Sequence, residues 1–153
     1  MKRSVYFSFI LVLFICAELN AQRDERFPKQ YRAAHYNGPL AAPDFESNPK
    51  AKMFKTRINE QMPYGINFAG HYTIVEFGCG TSCQSFFVVD RKTGIIYDGM
   101  TTELGMAFNN GNRLFIKNHG AAELSAEERA NCSYCKITYW EWKDNAFVEI
   151  KKE

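Results

Sequence analysis

The sequence has no surplus of charge: 19 Lys and Arg stand against 17 Asp and Glu, a formal net charge of +2. No global field draws such a chain to nucleic acid or to an anionic membrane surface, and neither partner is expected. Long apolar runs are also missing. The longest, Val5 to Ala17, has about 13 residues against the roughly 20 that a spanning helix needs, so no stable membrane insertion is expected. There is no full-length internal repeat either. Strand-turn-strand units with Thr93-Gly94 and Asp144-Asn145 turns resemble pieces of propeller blades, but the chain is too short for a propeller of four or more blades. Disorder is excluded for most of the chain by an aromatic content of 15%, enough to build a core.

What is present begins with an export layout. Lys2 and Arg3 precede the apolar run, and Ala21 closes a small-residue segment before Gln22, the arrangement of a cleavable secretory signal. Residues 1–21 are expected to be removed, giving an exported protein of the periplasm or cell exterior. Without Lys2, Arg3 and Glu18 the charge falls to 17 basic against 16 acidic residues. Cys16 is no lipid-anchor candidate, because Phe14 and Ile15 before it are bulky where a lipoprotein signal has small residues.

Residues 22–48 are charged at first, then rich in Pro and Ala without a period, and read as an irregular N-terminal arm pinned by Phe27, Tyr31, Tyr36 and Phe45. Residues 49–153 read as a single α+β domain. Asn48-Pro49 is an N-cap followed by a first-turn proline, and Ala51, Phe54, Ile58 and Met62 follow at helical spacing until Pro63 and Gly65 end the run. Beyond it β-type segments dominate: 71–77, 84–90 with the continuous Phe86-Phe87-Val88-Val89 run of a strand buried on both faces, 95–97, 106–108, 113–117, 136–142 and 147–151. Ser125 and Glu128 form a capping box for a short helical turn. The economical architecture is a mainly antiparallel sheet of about six to seven short strands in meander order, with one substantial N-terminal helix packed on it.

Asn67-Phe68-Ala69-Gly70-His71-Tyr72, then Gly78-Cys79-Gly80-Thr81-Ser82-Cys83-Gln84, then Val89-Asp90 with Thr93-Gly94, resembles the signature of a group of small, uncharacterised exported bacterial proteins. The resemblance covers roughly residues 43–98. It implies export and a shared fold and carries no activity with it. Phe77 stands where that group usually has Trp, a change within apolar rings.

Four cysteines follow the signal, at 79, 83, 132 and 135, and allow three complete pairings. A hairpin around Gly80-Thr81-Ser82 would bring Cys79 and Cys83 to bridging distance, so the local pairs Cys79–Cys83 and Cys132–Cys135 are expected. Loop-closure entropy argues the other way, at roughly 2 kcal/mol for so short a loop against about 4 kcal/mol for a bridge between the clusters. The sequence leaves the choice to topology.

Cys132-Ser133-Tyr134-Cys135 has the spacing of thiol redox sites, but such sites open a helix after a strand, whereas this one follows a short helical turn; a structural disulfide is the plainer reading. The four cysteines also imitate a C-x3-C…C-x2-C zinc site, which export disfavours because exported thiols are usually oxidised. Cys79 to Cys83 resembles the C-G-S-C segment of papain-like proteases, with His71 or His119 as a base for Cys83. It is one residue longer, lacks the following Trp and runs into a strand. No metal or cofactor is expected.

His71 opens a strand and is either a structural hydrogen-bonding residue or a base. Glu76 lies within the apolar Ile74 to Phe77 stretch, on the same side as Tyr72 and Ile74. Tyr139, Trp140 and Trp142 are the one hint of a binding surface, since Thr138, Trp140 and Trp142 share one face and Ile137, Tyr139 and Glu141 the other. These features predict a disulfide-stapled binding, inhibitory or protective module whose partner is a protein or small ligand. The alternative is an enzyme using the Cys132/Cys135 dithiol or His71 with the Cys79 to Cys83 loop.

Overall fold

The computed structural model describes residues 26–151; the predicted signal sequence and its cleavage point lie outside them. Asn48 takes an extended conformation and its side-chain oxygen accepts the Lys50 N–H at 3.1 Å, while Pro49 starts the helix without needing an N–H. The helical run comprises a 3-10 stretch Pro49–Phe54, the α-helix Lys55–Gln61 (α1) and a closing 3-10 turn Met62–Tyr64 that ends at Gly65 with φ 78°. Its apolar stripe buries Ala51 and Ile58 fully, with Phe54 and Met62 beside them.

Strands β1 (Tyr72–Gly80) and β2 (Cys83–Asp90) form a long hairpin, and β3 (Ile96–Asp98) pairs with β2 to complete a three-stranded antiparallel sheet. Gly94, with φ 86°, turns the chain between β2 and β3. A second antiparallel sheet is built from β4 (Met106–Ala107), β5 (Leu114–Lys117), β6 (Thr138–Lys143) and β7 (Ala146–Glu149), in that order. Between β6 and β7, Asp144 and Asn145 are both left-handed, the two-residue turn that suits the twist of a hairpin. The capping box forms as the sequence indicates and holds the short helix α2, Ala126–Ala130.

This corrects the expected architecture. Among the described residues there are two sheets instead of one, and the one substantial helix, residues 49–64, lies in the middle part of the chain and not at its N-terminus. The reason lies in β1 and β2, which are apolar on both faces. Phe87, Val89 and Val75 meet the helix; Ile74, Phe86 and Val88 point the other way and need a second layer, supplied by Phe115 and Trp142 of the second sheet. One helix covers only one face of a sheet. Phe68, fully buried, sits between the layers against Phe108, Trp142 and Phe147.

The segment before the helix straps both sheets by backbone hydrogen bonds. Ala33 donates to Gly111 at 3.0 Å, Tyr36 to Gly70 at 2.8 Å, Ala41 to Arg91 at 2.8 Å and Asp44 to Gly94 at 2.8 Å, while the Arg113 N–H donates to Tyr31 at 2.8 Å. Gly70 is required by this passage, since its φ is 82° and a Cβ there would strike the Ala34 carbonyl.

Candidate functional site

The β1–β2 register decides the fate of the cysteine loop. Tyr72 pairs with Asp90 at the base of the hairpin and Gly80 with Cys83 at its tip. Cys79 and Cys83 are joined in a disulfide, Cα atoms 5.0 Å apart, and Cys132 is joined to Cys135 at 5.4 Å. His71 precedes β1 and Cys83 pairs with Gly80 at its far end, so the nine-residue strand, at about 3.3 Å per residue, sets the backbone of His71 roughly 30 Å from Cys83. The two are not brought together as base and nucleophile. Thr81 and Ser82 are exposed at the tip, and neither Gly78 nor Gly80 has any heavy atom within 4 Å of the place a Cβ would take. Gln84 is tied back to the body by reciprocal backbone bonds with Thr102 at 2.9 and 2.8 Å.

Cys132–Cys135 follows α2 instead of opening a helix, and Cys135 is buried. Asn118 holds this loop: its side-chain N–H groups donate to the carbonyls of Tyr134 at 2.7 Å and Lys136 at 3.3 Å, and its oxygen accepts from the N–H groups of Glu103 and Leu104.

His71 lies in a polar cleft of about 680 Å³ between residues 32–34 of the arm and the β6–β7 turn. Its ring lies against Tyr72, with centroids 4.0 Å apart, and its Nε2 is 3.9 Å from an Asp90 carboxylate oxygen. Burial lowers its pKa from 6.5, the Lys92 ammonium lowers it further, and Asp90 works weakly against both. The Tyr72 hydroxyl donates to the Asn145 side chain at 2.7 Å. Burial raises the Tyr72 pKa; the Trp142 indole, near enough to favour the phenolate, opposes this without reaching hydrogen-bond geometry, and among the described residues its buried N–H has no acceptor. Glu76 is half-buried; burial lifts its pKa above the ordinary value and Arg57 counteracts it.

The three candidate surface aromatics divide between faces. Trp142 and Trp140 turn toward the inter-sheet core, Trp142 only 3% exposed and Trp140 donating its indole N–H to Thr138 at 2.9 Å. Tyr139 is on the opposite face and lines an open groove of about 550 Å³. Leu114 and Ile116 of β5 form its floor, Ile137 and Ile150 extend it, and Pro28 and Tyr31 of the arm close one side. At its rim Arg26 donates to Nε2 of His119 at 3.1 Å; a guanidinium has no acceptor, so that ring nitrogen accepts. Among these residues the sequence pointed to Tyr139 as a binding aromatic and to His119 as a base for Cys83; the structure sets His119 at the groove rim, accepting from Arg26. Alternation placed Ile137 beside Tyr139, but contacts from the arm, more than 80 positions away, carried no local signal.

No family model, curated protein or solved structure matches this chain.

Proposed function

We propose that this protein is an exported, non-catalytic binding module, belonging with the small bacterial proteins whose signature it resembles, and that it takes a small molecule with an apolar body in the groove on the second sheet. The observation that carries the reading is the groove itself. Its volume of about 550 Å³ falls in the range of small-molecule sites, and its apolar floor with polar groups at the rim is the usual composition of such sites. The two disulfides suit an oxidising compartment. The separation of His71 from Cys83 and the placement of Cys132–Cys135 after a helix speak against the enzyme alternative.

The test uses N-phenyl-1-naphthylamine, a neutral apolar fluorophore, with the native protein. Saturable one-to-one binding is expected, and Ile137→Arg, which puts a charge into the groove from a half-buried position, is expected to weaken it at least ~10-fold, about 1.4 kcal/mol. Binding that is absent in the native protein or unchanged in the variant overturns the groove. Dithiol-dependent disulfide reduction lost in Cys135→Ser overturns the non-catalytic reading.

A further inference from the structure

We infer that the His71 cleft is a second binding site, independent of the groove, for an oxyanion carried by a small molecule, a carboxylate or a phosphate. Four cationic side chains line it, Arg32, Lys92, Arg113 and Lys143, against two lining carboxylates, Glu141 and Asp144, and a third, Asp90, beside His71 at 3.9 Å. Only one of the four is spent on a carboxylate: Arg113 donates to Glu141 at 2.9 and 3.2 Å. Arg32, Lys92 and Lys143 have no carboxylate within ion-pair distance among the described residues, and Lys92 sits over the Tyr36 ring at 5.3 Å. The whole sequence carries a net charge of only +2, so three such cations in one cleft are a concentration and not a background. In a concave, aromatic-walled cleft their field is focused instead of being dispersed into water.

The walls are also fixed before any ligand arrives. On one side the arm is held by its bonds to Gly111 and Gly70; on the other the left-handed Asp144-Asn145 turn is pinned by the Tyr72 hydroxyl. Because the Asn145 oxygen accepts from Tyr72, its amide N–H groups are donors left over at the turn. Fixed donors hold an anion better than mobile ones, since less freedom is lost on binding. A hydrophobic ligand finds little here, and a neutral sugar leaves the cations unanswered.

The experiment follows the His71 ring resonances by NMR at constant pH, titrating the native protein with inorganic phosphate in one arm and galacturonate in the other, each against sodium chloride of equal ionic strength. Saturable shifts are expected with at least one of the two, the tighter naming the source, and chloride is expected to give none. Lys92→Ala and Arg32→Ala replace exposed side chains and are each expected to weaken binding about fivefold, the scale of one charge-assisted contact. Shifts that chloride reproduces, that fail to saturate with either oxyanion, or that neither variant weakens overturn the site. Ile137→Arg serves as the control and is expected to leave the titration unchanged; loss of the titration in that variant also overturns the claim of an independent site.

Discussion

Asparagine side chains bracket the irregular parts of this fold. Asn67 clamps the Ile74 backbone from both sides, accepting its N–H at 2.7 Å and donating to its carbonyl at 3.0 Å; Asn112 accepts from Leu114 and donates to Pro28; Asn118 makes four such bonds while 98% buried and left-handed at φ 56°. Asn118→Ala strands buried backbone groups at two loops and removes a residue type suited to that φ, so it is expected to cost about 2–4 kcal/mol in thermal or urea unfolding. From the sequence, asparagine reads only as a turn or cap former, which is why Asn48 was legible and Asn118 was not: the partners of Asn118 lie 14 to 18 positions away. His71 gives a pH-dependent expectation. Its pKa is depressed in the fold, so it contributes stability that is present above 6.5 and is lost as pH falls through the folded value. The ring is expected to titrate below 6.5 by NMR, and His71→Gln is expected to flatten the fall in stability on the acid side of that value. A folded pKa at or above 6.5 contradicts the assignment.

At the scale of elements, the β1–β2 hairpin gives its two neighbouring glycines different roles. Gly80 has φ 132°, a conformation disfavoured for side-chain-bearing residues, whereas Gly78 has no positive φ and open space around it. Gly80→Val is therefore expected to lower stability by about 1–2 kcal/mol, and Gly78→Ala to stay within about 0.5 kcal/mol of the native protein. Equal melting shifts in the two variants would refute this division. The helical run and the hairpin were legible because each rests on neighbours in sequence, a cap, an apolar period, a turn, whereas the local disulfides were expected but their pairing was left to topology. The division into two sheets was written only indirectly, in the apolar character of Phe86-Phe87-Val88-Val89 on both sides. That pattern demands two covering layers but does not say that strands 106–149 supply the second.

For the whole molecule, the two concavities owe their shape to the arm. Pro28 and Tyr31 wall the groove, and Arg32 to Ala34 wall the cleft, so both sites were beyond sequence reasoning that ended at local pattern: Tyr139 and His71 were visible and the surfaces facing them were not. The same arm bears on how the protein is made. The helix and first sheet occupy a continuous stretch and enclose their own core, and the second sheet needs only residues 106–149, but the arm closes loops as long as the 93 positions between Arg26 and His119. Closing the longest loops costs the most chain entropy and is deferred until the rest is in place. In a chain synthesised from its N-terminus, the first part of the arm emerges well before the segments it crosses, and the Tyr31 carbonyl has no Arg113 N–H to accept until that residue has been added.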